Sequence, residues 1–300
     1  MGFDAEFSLT FDGARAERSE IDLYDVAYAL IGFQRSLALT THLVLNDQII
    51  TQSPSLKGAV IVARPPETGS WKIMTGLTIV ATGLFQLGTA PKDTPIGHLV
   101  YSAYDYVVKE SLGVHVDFNK SLGQQYEELQ AQGFKGHVLT ESKMDSLIEK
   151  CETAIKEIHR PIFGEETATS ANIAAHISGK TLPVGVLLDI GTFDYLRETI
   201  RDTSEANLVG RVTSYNSNTF KGRVFVLSEG RPVPFELMPA ARGTDALTAI
   251  TQSLSMNTLY PRNRKLGFFE FSAVPKRSRT GIIKSLEVES VDRSKMMVAP

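Results

Sequence analysis

The feature that most constrains this chain is a series of five short β-type segments between Leu208 and Ser290. Three of them, among them L-V-G-R-V-T-S-Y-N and T-F-K-G-R-V-F-V-L, follow one another with short polar turns between them. A helical segment comes next, and then two further β-type segments, K-L-G-F-F-E-F-S-A-V and I-I-K-S-L-E-V-E-S. Short strands separated by Asn-, Gly- and Pro-containing turns are typical of small barrels. This order predicts an OB-like or SH3-like β-barrel with an inserted helix.

The region before the barrel has the pattern of a sheet covered by long helices. Apolar and polar residues alternate from Phe3 to Phe11, which predicts a half-buried strand. Apolar residues then recur at helical spacing from Asp22, an N-cap candidate, to Leu45. An acidic, Thr-containing run at residues 163–170 is interpreted as a domain boundary. The sequence thus predicts an α+β protein, with a sheet-and-helix domain at 1–165, a basic β-rich domain at 166–292 and a flexible tail at 293–300.

Residues Ile73 to Pro91 carry no charged side chain. Their number is close to the ~20 residues that a bilayer-spanning helix needs. The segment also contains three Gly, four Thr, a Gln and a terminal Pro, which favour a buried strand-and-helix or a packing surface. The alternative is a segment that inserts into a membrane or lines an oligomer.

The composition is that of a globular protein that needs no disulfides. The 300 residues include one cysteine, so no disulfide framework is available. The first residues, M-G-F-D-A-E-F, lack the apolar core of a secretion signal. We therefore expect a cytoplasmic protein.

Local motifs for catalysis or cofactor binding are weak. Ser178-Gly179-Lys180-Thr181 ends like a phosphate-binding loop, but Pro183 blocks the helix that must follow, and a hairpin turn is favoured. Cys151 lies on the apolar side of its helix and is interpreted as a small buried hydrophobe. The six histidines are scattered singly, so no metal site is predicted. We predict no catalytic residue and no cofactor, although an enzyme whose site is assembled from distant residues stays open.

The charge is unevenly distributed along the chain. From Leu208 onward there are 14 Lys and Arg against 7 Asp and Glu, whereas the whole chain has 31 against 34. A basic unit on an acidic body indicates either a polyanion partner or two halves that face each other. Aromatic residues accompany the basic ones, and Phe225, Phe269 and Phe271 are expected to fill the barrel core. The predicted contacts to an anionic partner are Arg211, Arg223, Arg262, Arg264, Lys265, Lys276, Arg277 and Arg279.

The chain resembles a group of uncharacterised bacterial proteins. The resemblance rests on the helix I-D-L-Y-D-V-A-Y-A-L-I-G-F-Q-R-S-L-A-L and on the run G-R-V-T-S-Y-N-S-N-T-F-K-G-R-V. These proteins have an N-terminal α/β domain of unknown function and a small β C-terminal domain. The resemblance implies a bacterial cytosolic setting and a place among accessory or antiviral-defence genes, but no activity and no functional residue.

These observations lead to one functional hypothesis and two alternatives. The hypothesis is a non-enzymatic binding protein whose barrel holds a nucleic acid, a nucleotide or another polyanion, while the N-terminal domain mediates self-association or docks a partner protein. The first alternative is a membrane-acting or self-assembling protein that uses residues 73–91. The second is an enzyme with a non-local active site.

Overall fold

The computed structural model describes residues 5–52, 55–64, 71–80, 95–131, 133–260 and 266–297. The chain divides into two compact units, Met1–Leu196 and Arg197–Pro300. Helices and strands are present in both units, and the C-terminal unit is a closed barrel with one helix inserted between its strands. The predicted α+β class and the predicted barrel are therefore confirmed.

Unit 1 is built on a five-stranded antiparallel sheet with β1 at its centre. The strand order is β2-β3-β1-β4-β5. In β1, Phe7, Leu9 and Phe11 are completely buried, whereas Glu6 and Thr10 are partly exposed. The alternation in the sequence thus separates a face packed on the core from an open face. The strands are β1 (Ala5–Asp12), β2 (Ala59–Arg64), β3 (Trp71–Ile79), β4 (Ser170–Ile177) and β5 (Lys180–Leu188).

Long helices supply most of the remaining core of unit 1. The first begins where the sequence predicts, because the Asp22 carboxylate accepts a hydrogen bond from the Asp25 backbone N–H at 3.0 Å. It crosses the fourth helix closely at Gly32, where a Cβ atom would lie 2.3 Å from the Ala154 carbonyl oxygen. The helices are α1 (Leu23–Asn46), α2 (Pro95–Ser111), α3 (Gln124–Ala131), α4 (Glu141–Ile158), α5 (Arg160–Phe163) and α6 (Ile190–Arg197).

The boundary between the units lies at Leu196, and not near residue 165 as the sequence predicts. The reason is that β4 pairs with β1 from Ser170 to His176, so the hairpin β4–β5 completes the first sheet. The acidic run at 163–170 is a connection within unit 1, where the Thr169 N–H donates to the Asp12 carbonyl oxygen at 2.9 Å. A polar composition marked a surface connection, but it could not show which sheet the next strands join.

The uncharged segment Ile73–Pro91 begins as a strand. Residues up to Ile79 belong to β3, between β1 and β2, and residues 81–91 lie outside the described residues. In the described parts of the chain, no helix has both the length and the apolar character that crossing a bilayer requires.

Unit 2 is a closed five-stranded barrel. Each strand pairs with its neighbours in the order β7-β8-β9-β11-β10, and β10 returns to β7. The β9–β11 pair is parallel, and a helix connects β9 to β10. This strand order, with its helix after the third strand, is that of the OB fold. The elements are β6 (Thr199–Arg201), β7 (Ala206–Asn216), β8 (Lys221–Val226), β9 (Arg231–Leu237), α7 (Thr244–Leu259), β10 (Phe268–Ser278) and β11 (Ile283–Met297).

Aromatic side chains fill the barrel as far as the alternation of each strand allows. Phe269 and Phe271 are buried in its core, as expected from the sequence. Phe225 lies between the inward-facing Val224 and Val226, so its side chain faces outward and is only half-buried. There it packs edge-on against Phe268, with ring centroids 6.3 Å apart.

The contact between α7 and the barrel depends on one buried hydroxyl. Ser253 Oγ accepts a hydrogen bond from the Val212 N–H at 2.9 Å and donates to the Gly267 carbonyl oxygen at 2.6 Å. Ser253→Ala leaves both backbone groups unpaired in the core and is expected to destabilise unit 2 by about 2 kcal/mol. Hydrogen–deuterium exchange of the barrel peptides measures this loss. Ser255→Ala, on the exposed side of α7, is the control, and equal effects of the two changes would contradict the prediction.

Candidate functional site

Several basic residues lie near the turn between β10 and β11. The strand β6 pairs with the end of β10, which places Arg201 opposite Lys276. The turn itself is closed by two hydrogen bonds, from the Ser278 N–H to the Ile282 carbonyl oxygen at 2.8 Å and from the Gly281 N–H to the Ser278 carbonyl oxygen at 2.9 Å. We call the resulting group the cationic turn; it consists of Arg201, Lys276, Arg277, Arg279 and Lys284.

Glu287 holds two of these cations together. Its carboxylate accepts a hydrogen bond from Lys276 Nζ at 2.6 Å and another from Arg201 Nε at 2.6 Å. Like charges placed opposite each other across a ladder repel, and the carboxylate between them removes that repulsion. The hydrogen bonds from Lys276 and then from Arg201 lower the pKa of Glu287 below its usual range. At neutral pH, Glu287 therefore stays ionised and positions both cations.

The other members of the cationic turn are positioned differently. Arg277 Nε donates to the Asp202 carboxylate at 2.9 Å, and its Nη1 donates to the Gly281 carbonyl oxygen, also at 2.9 Å. Lys284 Nζ donates to Thr199 Oγ1 at 2.9 Å. Arg279 is exposed and has no ion pair within the described part of the chain. It is thus the cation of this group that is most accessible to a ligand in solution.

The structure brings three of the eight predicted contacts together and separates the others. Lys276, Arg277 and Arg279 share the cationic turn. In contrast, Arg211 and Arg223 are 9% and 2% exposed, and the Arg211 guanidinium lies over the Phe268 ring, 5.6 Å from its centroid. Both arginines are therefore poorly accessible to a large partner. The remaining three predicted contacts, Arg262, Arg264 and Lys265, lie outside the described residues.

Two members of the cationic turn could not be recognised from the sequence. Arg201 precedes the barrel segments and reaches Lys276 only through the pairing of β6 with β10. Lys284 is a single lysine in an apolar strand segment. Neither residue belongs to a basic run, so an excess of positive charge over the whole unit was the only signal.

A second polar group lies at the turn between β7 and β8. The Asn216 side chain accepts a hydrogen bond from the Asn218 N–H at 2.9 Å, which closes the turn. The Arg242 guanidinium lies over the ring of Phe220, 4.3 Å from its centroid, and is 3.6 Å from the Glu236 carboxylate. About a third of the Arg242 side chain is exposed. This turn therefore presents a planar cation on an aromatic ring.

The chemical motifs considered in the sequence have structural roles. Ser178 and Gly179, with φ angles of 52° and 75°, form the two-residue turn of the β4–β5 hairpin, as predicted. Cys151 is buried in the core, which raises the pKa of its thiol to about 12. Among the residues that the structure describes, no group of His, Cys, Asp or Glu has an arrangement suited to a metal ion.

The open face of the unit 1 sheet carries a chain of hydrogen bonds that joins three strands. Ser8 Oγ lies 2.9 Å from His176 Nε2, and His176 Nδ1 lies 3.1 Å from Thr181 Oγ1. A serine beside a histidine is the minimum that nucleophilic catalysis needs. Here, however, Ser8 is only 3% exposed, in the middle of the central strand, so a substrate has little access to it. We interpret this chain as stabilising the sheet surface.

Comparison with known proteins concerns unit 1. A family model described as a domain of unknown function (DUF7946) matches residues 7–197. The match ends within one residue of the end of unit 1, and the barrel follows it. No curated protein and no solved structure matches the chain.

Proposed function

The chain belongs to the family of the domain of unknown function DUF7946, and from the geometry of its second unit we propose a non-enzymatic binding protein whose barrel holds single-stranded nucleic acid. The observation that carries this proposal is the cationic turn at the end of β10 in a barrel with the OB strand order. OB barrels bind oligonucleotides on the face of their second and third strands, between the first and the last of their turns. The cationic turn is the last of these turns.

The first turn supports the same ligand class. Its Phe220 forms a stacked pair with Arg242 of the connection between β9 and α7, and the exposed Lys221 follows Phe220 at the start of β8. Bases of single strands stack on aromatic rings and on guanidinium planes, whereas phosphates pair with Lys and Arg. Cations at both turns suit a nucleic-acid backbone that runs from one turn to the other. The stacked pair at one turn favours a single strand over a duplex, since it offers a surface on which unpaired bases can stack. The predicted cytoplasmic location and antiviral-defence setting stay predictions.

The affinity for nucleic acid is expected to fall with rising salt concentration, and the cations of the cationic turn should set how steeply it falls. Arg279→Ala combined with Lys284→Ala removes two cations. The plot of log K against log salt concentration should then become less steep, by about 2 in the magnitude of its slope. Glu287→Gln removes the carboxylate that neutralises Lys276 and Arg201, so it should strengthen binding and steepen the slope. Fluorescence anisotropy of the full chain with labelled single-stranded DNA and RNA, and with duplex DNA, measures each slope.

The control removes the same charge from unit 1. Lys120 and Lys150 are exposed there, and their combined change to Ala alters the net charge by the same amount. The proposal requires that this control binds like the wild type. It is contradicted if the control loses as much affinity as the variant at the cationic turn, or if the wild type does not bind at low salt.

A further inference from the structure

The strand β2 forms an edge of the unit 1 sheet, and its outer backbone groups have no partner among the residues that the structure describes. The Val80 N–H donates to the Gly58 carbonyl oxygen at 2.9 Å, and the register continues as Ala59 with Ile79 and Val60 with Thr78. Backbone groups alternate in direction along an antiparallel ladder. Every second residue therefore points its N–H and C=O away from β3, and in the described part of the chain no hydrogen bond reaches these groups; the residues are Ala59, Ile61 and Ala63.

The opposite edge of the same sheet is protected. In β5, Pro183 has no N–H to offer, and its carbonyl oxygen accepts a hydrogen bond from the Tyr101 hydroxyl at 3.2 Å. The Gly185 N–H donates to the Asp105 carboxylate at 2.8 Å. Proline, irregular backbone and covering side chains are the usual means by which proteins prevent edge strands from pairing. The described part of β2 has none of them between Ala59 and Ala63.

The side chains of β2 also favour pairing. Val60 and Val62 lie on the open face of the sheet and are 50% and 40% exposed. Arg64, at the end of the strand, forms an ion pair with Glu6 of its own sheet, so its charge is partly neutralised. A β-branched, apolar edge with unpaired backbone groups is the type of strand that binds another strand.

The residues of β2 indicate which strand it binds. Ala59-Val60-Ile61-Val62-Ala63 is the same in both directions, with Ile61 at its centre. We propose that β2 pairs antiparallel with β2 of a second copy of this chain, about a two-fold axis at Ile61. This proposal is independent of the nucleic-acid function proposed for the barrel.

The two-fold register satisfies the backbone and the side chains together. Ile61 faces Ile61 of the second copy, and Ala59 faces Ala63, so all outward N–H and C=O groups on these residues find partners. Val60 faces Val62 of the second copy on the open face, in the type of pair whose side chains lie closest. A shift by two residues in either direction would lose one of these matches, so the palindrome favours the register centred on Ile61. Antiparallel pairing of two identical strands is two-fold symmetric and therefore gives a closed dimer.

The test is the mass of the full chain in solution. Sedimentation velocity from about 1 to about 200 µM covers the range expected for an interface of this size. The wild type should dimerise, and Val62→Lys, which places a charge beside its counterpart on the exposed face, should raise the dissociation constant at least tenfold. Leu187→Lys places the same charge on the protected edge, where Leu187 is 49% exposed, and should leave the dimer unchanged.

Disulfide formation tests the register. Ile61→Cys puts two thiols opposite each other across the axis and should form a cross-linked dimer under mild oxidation, whereas Val62→Cys should not. The native Cys151 is buried and does not interfere. The proposal is overturned by a monomeric wild type, by a dimer that survives Val62→Lys, by a dimer that Leu187→Lys disrupts, or by cross-linking at position 62 instead of 61.

Discussion

Unit 1 is expected to lose about 3 kcal/mol of stability between pH 6.5 and pH 4 because of the single residue His159. Its ring is fully buried and contacts the C-terminal end of α4 and the start of α6. His159 Nδ1 lies 2.9 Å from the Ile155 carbonyl oxygen, and Nε2 lies 3.0 Å from Thr192 Oγ1. A carbonyl oxygen only accepts hydrogen bonds, so Nδ1 carries the hydrogen and Nε2 is an acceptor. The Thr192 hydroxyl, which faces Nε2, also lies 2.9 Å from the Asp189 carbonyl oxygen and has one hydrogen for these two acceptors. Both nitrogens of the neutral ring thus have a hydrogen-bonding group within 3.0 Å.

Burial disfavours the charged form of this ring. It lowers the pKa of His159 from its ordinary value near 6.5 to about 4 in the folded chain. Below pH 6.5 the unfolded chain takes up a proton at this position and the folded chain does not, so acid favours unfolding. The loss is complete near pH 4, where the folded form also becomes protonated, and it is absent above pH 6.5.

Urea unfolding at several pH values measures this loss. Trp71 is the only tryptophan of the chain and lies in β3, so its fluorescence reports on unit 1. His159→Gln is expected to make the free energy of unfolding less dependent on pH in this window. His137, which is 69% exposed, is the control, and His137→Gln should leave the pH dependence as it is. An unchanged pH dependence in His159→Gln would show that other groups cause it.

Asp25→Ala is expected to destabilise unit 1 by about 3 kcal/mol, since it removes the closer and more buried of the two carboxylates beside the partly buried Arg160. Asp25 is 3% exposed. One carboxylate oxygen accepts the Glu165 N–H at 2.9 Å, and the other lies 3.3 Å from Arg160 Nε. The loop approaches this closely because residue 164 is glycine; a Cβ atom there would lie 2.2 Å from Asp25 Oδ2.

The neighbouring Asp22 provides a matched comparison on the same helix. Asp22→Ala removes only the N-cap hydrogen bond to the Asp25 N–H, and such a loss costs about 1 kcal/mol. Asp25→Asn keeps the shape of the side chain and the hydrogen bond from the Glu165 N–H but removes the charge. Its loss of stability should fall between the losses in Asp22→Ala and Asp25→Ala. All three variants are compared by urea unfolding followed through Trp71. A loss in Asp25→Ala no larger than that in Asp22→Ala would contradict the role of the buried pair.

These two aspartates show how far local patterns reach. The N-cap at Asp22 was predictable because the signal and its consequence lie within one helical turn. The role of Asp25 was not predictable in this way, since nothing near it in the sequence indicates Arg160. That partner lies 135 positions further along the chain and comes into contact only when α5 packs against α1.

In the candidate site, too, local patterns could be predicted and contacts between distant segments could not. The strands of the barrel, their order and the basic run at Lys276 to Arg279 could be identified in advance. The burial of Arg211 and Arg223 could not, because an alternating pattern places a residue on one side of a strand but does not tell what covers that side. Similarly, Arg201 joins the cationic turn only through a strand of three residues, which is too short to give a periodic signal.

The sequence by itself therefore determined the elements of this protein: the α+β class, the long capped helices, the hairpin at Ser178 and the helix-containing barrel. These depend on interactions between residues that are close along the chain, whose spacing the sequence records directly. Only the tertiary structure decided that β4 and β5 belong to the first sheet, that β2 is left as an open edge, and which cations share a surface. Those outcomes depend on pairings between segments up to about 170 residues apart, as between Glu6 and His176, and strand register at that separation is set by the packing of the whole core.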